Sequence, residues 1–279
     1  MTRGPLNAAL VLYADGNDAM THSTIALLRQ ALEERDATAK CERVHALQLD
    51  AGIVDAPRPA AWAPGRPSGL QLVSPRDVPV RGLGTDAGRA ALVHAIAHIE
   101  FNAINLALDA CLRFAGMPEA YYHDWLSVAK DEARHFELLA ARMQELGCCY
   151  GDLPAHNGLW EAAEKTAHDV LVRMALVPRV LEARGLDVTP GMINRLTEVR
   201  DHDTVRALRV ILDEEVRHVA IGTHWFRWLC EQRGLAPDAT FLRLLAEHDT
   251  RIRPPINWSA RSAAGFSRDE LPADLLPRG

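Results

Sequence analysis

The sequence lacks the cysteine patterns that mark disulfide-rich or zinc-binding proteins. It has five cysteines, an odd number, and their spacing is irregular, with no Cys-x-x-Cys pair. Disulfide frameworks and structural zinc sites both need cysteines in regular, paired spacings. We therefore expect reduced thiols, as is usual for a protein of the cytoplasm.

Long apolar runs and an excess of basic charge are also missing. No run of 18 apolar residues occurs and the start does not resemble a signal peptide, which predicts a cytoplasmic protein with no membrane partner. The net charge of −6 argues against a general nucleic-acid binder, because such a protein needs a basic surface. The sequence also has no glycine-rich phosphate loop and no nucleophile elbow.

What the sequence does contain is a pattern of acids and histidines that occurs twice. In each copy a Glu is followed, 32 or 33 residues later, by a Glu-x-x-His pair. Glu and His three residues apart on a helix project from the same face. Four carboxylates and two imidazoles from four helices form the ligand set of a di-iron or di-manganese carboxylate site. The predicted metal ligands are Glu100, Glu132 and His135 in the first copy, and Glu182, Glu215 and His218 in the second.

Glycine and proline divide the middle of the chain into helical segments. The fold class that this pattern predicts is all-α, with a bundle of four helices over residues 88–234. A short helix after Pro190 and a further helix over 241–248 are also predicted. The four main helices are expected at 88–115, 118–146, 159–184 and 203–233.

Two extensions flank the predicted bundle. Residues 1–87 hold one predicted helix over 21–35, with Thr21 or Ser23 as its N-cap, and then a segment over 55–79 with six prolines. That segment is compatible with wrapping around the core or with remaining loose. We expect it and the C-terminal tail, 235–279, to pack on the bundle and to restrict access to the metals.

The apolar faces of the predicted helices strengthen the assignment of the ligands. Glu100 lies one helical turn from both Ile96 and Ile104, and the two Glu-x-x-His pairs lie on equally apolar stripes. An unpaired carboxylate on a core-facing stripe would cost several kcal/mol. Metal coordination is the simplest compensation for that cost.

Glu182 fits this pattern less well than the other acids. Its stripe also includes Arg179, and it lies close to the predicted end of its helix at Gly185. The interval of 33 residues to Glu215 favours it nevertheless. Pro178, one turn earlier, removes a backbone hydrogen bond and therefore predicts a kink or bulge beside the site.

Other polar residues near the pattern leave alternatives open. Arg134 and Arg217 are either solvated or hydrogen-bonded to Asp131 and Glu214, in which case they would orient the ligands. His98 lies on the opposite side of its helix from the predicted ligand, so it belongs to a polar inter-element face or plays a supporting role at the site.

Several runs of residues carry a family resemblance. They are His98–Asn105, Asp131–Phe136, Tyr150–His156, Leu181–Asp187 and Asp213–Val219. These runs resemble a functionally uncharacterised ferritin-like family, and the resemblance covers about residues 75–270. It implies a ferritin-like four-helix bundle with a di-metal centre, distantly similar to di-iron hydroxylases that act on a modified tRNA base. It implies no substrate.

The function that we predict is a non-haem di-iron or iron–manganese oxidoreductase that activates oxygen. Glu132 and Glu215 would bridge the two ions, since each is the Glu of a Glu-x-x-His pair. The partners expected are an unidentified small-molecule substrate and an electron donor, and a homodimer is compatible with the sequence. The remaining ligands would be Glu100 with His135 on one ion, and Glu182 with His218 on the other.

Three other functions are compatible with the same ligands. A tRNA-modifying hydroxylase would need a basic patch at the mouth of the site, against which the net charge argues. A peroxide-consuming or iron-handling protein would need an open hydrophilic path to the metals. A structural bundle with an empty site is the third alternative.

Overall fold

The computed structural model describes residues 14–59, 61–79, 81–271 and 275. Within these ranges the fold is all-α, as predicted, and the described residues form no β-strand. Leu72 and Ala155 form an isolated parallel β-bridge. The helices are α1 (Ala14–Glu33), α2 (Ala37–Ala46), α3 (Asp86–Arg113), α4 (Glu119–Glu145), α5 (Gly158–Lys165), α6 (Val170–Leu176), α7 (Ala183–Glu198), α8 (His202–Gln232), α9 (Pro237–Glu247) and α10 (Trp258–Ala263), with a π-helical segment, Val177–Glu182, between α6 and α7.

Local capping fixes the ends of the long helices. The side chain of Thr85 accepts a hydrogen bond from the backbone N–H of Gly88 at the start of α3, and Asp201 does the same for Thr204 at the start of α8. After α4 and α8 the chain reverses at Gly147 (φ 72°) and Gly234 (φ 63°). This left-handed conformation suits glycine, which explains why both ends were predictable.

The third predicted helix, 159–184, is wrong as a single element. The chain leaves helical geometry between α5 and α6, and α6 starts afresh with Asp169 as its N-cap. Beyond the π segment, α7 runs through Gly185 and Pro190 to Glu198, so the predicted end and the separate helix after Pro190 are also wrong. Asp187, on the same part of α7, forms a buried ion pair with Arg261 (2.7 Å). Tertiary contacts of this kind can override a low local helix propensity.

Four helical stretches surround the centre of the molecule. Helix α3 packs along α4, and α4 packs against α8. The π segment and α7 also pack against α8. One hydrophobic core runs from Ile25 on α1 to Leu271 near the C-terminus, so the flanking segments share it.

Helix α3 is long and apolar enough to pass a length-and-composition test for a membrane span. It contains no unbroken run of 18 apolar residues, as expected, because residues such as His94, His98 and Glu100 interrupt it. However, 78% of the apolar window is buried inside the protein. That burial is typical of the core helix of a soluble protein.

The N-terminal helix starts earlier than the sequence indicated. It begins at Ala14, so Thr21 and Ser23 lie inside it and neither is its N-cap. The proline-rich segment that follows wraps around the core. The indole of Trp62 donates a hydrogen bond to the buried Asp109 (2.9 Å), and a Cβ at Gly65 would lie 2.1 Å from the carbonyl oxygen of Glu33, so only glycine fits there.

Candidate metal centre

Helices α3, α4 and α8 bring four of the predicted ligands into one buried cluster. Ligand atoms of Glu100, Glu132, His135 and Glu215 all lie within 4.8 Å of one another, and all four residues are buried. Carboxylate and imidazole groups at this separation could hold metal ions. The fold therefore assembles a candidate metal centre from residues up to 115 positions apart in the chain.

Glu132 occupies the middle of the cluster. Its Oε2 lies 3.4 Å from Nδ1 of His135, and its Oε1 lies 3.0 Å from Nδ1 of His218. His135 Nδ1 also lies 3.3 Å from Glu100 Oε2, and His218 Nδ1 lies 3.5 Å from Glu215 Oε1. The two imidazoles thus face opposite oxygens of one carboxylate, and each has a second carboxylate beside it.

Glu182, the predicted ligand on the third helical stretch, lies beside a cavity. It lies at the end of the π segment and lines a cavity together with Glu100 and Glu215. Its Oε2 atom is buried and has no hydrogen-bond partner among the described residues. The residue as a whole retains some exposure because it faces that cavity. Its role as a ligand stays a prediction, like the roles of the other five residues.

The outer nitrogen of each histidine contacts a carboxylate from the other Glu-x-x-His helix. Nε2 of His135, on α4, lies 2.7 Å from Glu214 on α8. Nε2 of His218, on α8, lies 3.2 Å from Asp131 on α4. A carboxylate at Nε2 favours a proton on that nitrogen and leaves the Nδ1 lone pair directed into the cluster. Sequence reasoning named both acids but not this crossed pairing, because only the tertiary structure determines it.

Two arginines hold the crossed carboxylates in place. Arg134 donates hydrogen bonds to Glu214 (2.6 Å) and to Asp131 (2.9 Å), and Arg217 donates to Asp131. The sequence left open whether these arginines are solvated or bonded to the acids, and the structure shows the bonds. Burial would raise the pKa of Asp131, but hydrogen bonds from His218 and both arginines hold it well below its usual value. Asp131 is therefore ionised and can accept a hydrogen bond from Nε2–H of His218.

Several buried polar atoms of the cluster have no hydrogen-bond partner in the described part of the chain. Among the described residues these orphaned atoms include Oε1 of Glu132, Oε2 of Glu215 and Nδ1 of His218. Glu132 Oε1 and His218 Nδ1 are only 3.0 Å apart, yet they do not meet at a hydrogen-bonding angle. Buried polar atoms almost always have a partner, so the orphaned set fits atoms that converge on cations.

Three of the four carboxyl groups predicted as ligands resist ionisation without a cation. Burial, together with the charge of Glu132, raises the pKa of Glu100 well above its usual value. Burial and the charges of Glu215 and Glu132 raise the pKa of Glu182 to about 8. Burial and the charge of Glu132 also raise the pKa of Glu215. A cluster in which three carboxyls are pushed towards neutrality has a deficit of positive charge, which bound cations would supply.

The histidines respond in the opposite direction to burial. Burial would lower the pKa of His135, but hydrogen bonds to Glu100 and Glu132 raise it to about 11. The pKa of His218 is likewise raised, by Glu132 and Glu215, against the effect of burial. Although burial opposes its charged form, Glu132 is held ionised between the two imidazoles, which lowers its pKa. In the metal-free protein, protons on the histidines thus replace part of the missing positive charge.

The predicted bulge beside Pro178 is present as the π-helical segment. It approaches α8 so closely that a Cβ at Gly222 would lie 2.3 Å from the Cβ of Pro178. Arg179, in the middle of the segment, is fully buried and forms an ion pair with Glu270 (2.6 Å). Contacts on both faces therefore fix the segment that ends in Glu182.

In the sequence, Arg179 is a charged residue on the predicted apolar stripe of Glu182. Its guanidinium lies among three aromatic rings, with its central carbon 4.1–4.5 Å from their centroids. Such contacts and the ion pair with Glu270 compensate for burying the charge. The rings belong to Phe226, Phe241 and Phe266.

His98 belongs to a polar network away from the cluster. Its Nδ1 lies 2.8 Å from the hydroxyl of Tyr150, and its Nε2 lies 3.0 Å from the carbonyl oxygen of His156. Burial lowers the pKa of His98 to about 4, so the ring is neutral. This is the inter-element face that the sequence offered as one alternative.

All five cysteines are free and outside the cluster, as expected. Four of them are buried, and Cys149 is exposed. The donor set of the candidate centre thus consists of carboxylates and imidazoles, which suit iron and manganese.

Comparison with known proteins identifies a family but no activity. A curated protein of Haemophilus influenzae, named "Uncharacterized protein", is 49% identical over 208 residues, which cover 72% of this chain and 72% of the relative. No solved structure matches the chain. Residues 21–272 match the family described as "Protein of unknown function (DUF455)", and because this match spans most of the chain, the protein belongs to the DUF455 family.

Proposed function

We propose that the chain is a ferritin-like, carboxylate-bridged di-metal oxidoreductase that activates dioxygen and acts on a small molecule. The observation that carries the proposal is the reciprocal pairing of the two histidines. Each directs Nδ1 into a cluster of buried carboxylates and is supported at Nε2 by an ionised acid from the opposite helix. Histidines that ligate metals are typically oriented in this way.

The positions of the side chains support a specific role for each ligand. Glu132 has one oxygen towards each histidine, as a carboxylate that bridges two ions requires. Glu215, the equivalent residue of the second copy, is proposed as the other bridge. Glu100 with His135 would complete the shell of one ion, and Glu182 with His218 that of the other.

The ligand chemistry supports a pair of iron ions, or one iron and one manganese. Two such ions, when bound, supply redox chemistry and Lewis acidity that side chains cannot provide. For a hydroxylation, one oxygen atom of dioxygen enters a C–H bond and the other leaves as water, with two electrons and two protons from an external donor. The buried helices around the site would exclude bulk water from this chemistry.

The cavity beside the cluster favours an oxidoreductase over an iron-handling protein. It is lined mainly by apolar side chains, whereas transport of iron ions needs a hydrophilic path. It touches three of the proposed ligands, Glu100, Glu182 and Glu215, so a molecule in the cavity would lie next to the metals.

The experiment that tests the proposal is metal analysis of protein reconstituted anaerobically with iron(II) and manganese(II). We expect two ions per chain, and oxygen uptake when the loaded protein is reduced. Glu132→Gln should lose both ions, whereas Glu137→Gln, at an exposed position of the same helix, should bind as the unmodified protein does. One ion or none per chain in the unmodified protein would overturn the proposal.

A further inference from the structure

A cavity of about 370 Å³ extends outward from the candidate metal centre. Glu100, Glu182 and Glu215 form its inner end. Its walls come from α3, the start of α5, the π segment, α7 and α8. Three of these elements, α3, the π segment and α8, also carry the carboxylates. Ligand sites in proteins have volumes of about 300–1,000 Å³, so this cavity is large enough for a small molecule.

The walls of the cavity are apolar. They include Ile96, Ile99, Val188, Met192 and Leu208. Ile99 is 45% exposed although it lies on the otherwise buried helix α3, so the apolar surface continues to the mouth. An apolar surface that is left open beside a reactive site is typical of a ligand-binding groove.

The polar groups outside the inner end do not attract a charged ligand. Among the described lining residues, the basic side chains are those of His156, whose Nδ1 accepts a hydrogen bond from the backbone N–H of Gly158 (3.2 Å), and of Arg184. Its guanidinium already donates hydrogen bonds to the backbone carbonyl oxygens of Arg253 (2.7 Å), Pro254 (3.2 Å) and Pro255 (3.1 Å). A phosphate or carboxylate would thus find no unpartnered cation at the mouth, and its transfer into apolar surroundings would be costly.

We propose that this cavity binds a small, neutral, largely apolar molecule, with a hydrocarbon part next to the ligands of the metal centre. A water molecule takes up about 30 Å³ in the liquid, so the cavity holds roughly ten to a dozen non-hydrogen atoms. The inference deepens the proposed function, because this molecule would be the class of substrate on which the di-metal site acts.

A pair of glycine variants on one helix tests the proposal. Gly185 and Gly191 both lie on α7, and an added Cβ at either position meets nothing within 4 Å. Gly185 lines the cavity, whereas Gly191 is exposed on the surface. Gly185→Leu should therefore fill part of the cavity, and Gly191→Leu is the matched control for the effect of leucine on the helix.

The measurement is isothermal titration calorimetry with 1-decanol, with adenosine as a polar probe of larger size. We expect 1-decanol to bind with a negative heat-capacity change, the signature of apolar burial, and adenosine not to bind. Gly185→Leu should weaken 1-decanol binding by about tenfold, which corresponds to the loss of about two methylene contacts. Gly191→Leu should leave it unchanged.

Three results would overturn the proposal. They are no binding of 1-decanol to the unmodified protein, equal binding to both leucine variants, or adenosine binding that Gly185→Leu removes. If Gly185→Leu does not fold, Val188→Phe at a second lining position provides the same test.

Metal content of the same samples separates this inference from the proposed function. Protein that holds two ions but does not bind 1-decanol would support the proposed function and contradict the proposed substrate class. Protein that binds 1-decanol in the cavity but holds no metal would support the apolar binding site and contradict the di-metal oxidoreductase.

Discussion

At the scale of single residues, the structure gives Glu132 and Glu182 different positions in the candidate metal centre. Glu132 lies between both histidines, whereas Glu182 lies at the edge of the cluster, at the end of the π segment. The sequence pointed to Glu132 because it begins a Glu-x-x-His pair on an apolar stripe, and to Glu182 because it precedes Glu215 by 33 residues. It assigned them a bridging and a terminal role, but it could not give the distances between the side chains, because contacts across helices set these.

Removal of the central and the peripheral carboxylate should therefore have different effects on metal binding. Glu132→Gln should remove most binding of both ions, and Glu182→Gln should weaken mainly one, because only Glu132 faces both histidines. Anaerobic titration with manganese(II), followed by calorimetry, measures both stoichiometry and affinity. A result in which Glu182 is essential and Glu132 dispensable would contradict the assigned roles.

The crossed carboxylates predict an effect on the opposite helix. Asp131→Asn should weaken binding of the ion that we assign to His218 by about 10–100-fold, the usual range for such supporting residues. Asp213→Asn, an exposed acid on α8, is the control. Manganese(II) titrations of the two variants make the comparison, and equal affinities for both would show that Asp131 does not orient the site.

At the scale of secondary structure, the π segment and its contact with α8 determine where Glu182 lies. Pro178 fits against α8 only because residue 222 has no side chain. The sequence predicted the irregularity, since proline cannot donate a backbone hydrogen bond. It did not predict the break between α5 and α6, where the buried Arg173 bonds Thr166 (2.7 Å) and the distant Asp109 (2.7 Å). Long-range contacts of that kind leave no periodic signal.

A methyl group at position 222 should disturb the π segment. Gly222→Ala places a Cβ 2.3 Å from that of Pro178, so we expect overpacking to destabilise the metal-free protein by about 1–3 kcal/mol. Gly222→Ala should also weaken binding of the ion that we assign to Glu182. Gly191→Ala, in open space on α7, should be neutral or slightly stabilising because alanine favours helices. Urea denaturation measures both effects, and equal stabilities of the two variants would argue against close packing at Pro178.

At the scale of the whole molecule, the buried charges make stability depend on pH. The pKa of Glu182 is raised from 4.5 to about 8, so its contribution to stability is present below pH 4.5 and is lost as pH rises through 8. The pKa of His135 is raised from 6.5 to about 11, so the contribution of His135 to stability is lost as pH rises from 6.5 through 11. The pKa of Glu132 is lowered, so its contribution to stability is fully present above pH 4.5 and does not change with pH in that range.

The metal-free protein should therefore lose stability from about pH 5 to 8, while the metal-loaded form should not. Metal binding needs deprotonated ligands, so the affinity for the ions rises over the same range. We expect the gap between the melting temperatures of the two forms to widen by several degrees across this interval. Thermal melts at pH 5, 6.5 and 8 make the comparison, and a constant or narrowing gap would contradict a buried carboxylate site.

The crossed pairing of histidines and carboxylates also has a consequence for how the protein is made. His135 leaves the ribosome long before Glu214, which lies 79 residues further along the chain. A nascent chain that ends before α8 therefore carries a complete first motif but no group to orient its histidine. Chains are synthesised from the N-terminus, so under the proposed di-metal assignment we expect no oriented metal site in the nascent chain until α8 has been made.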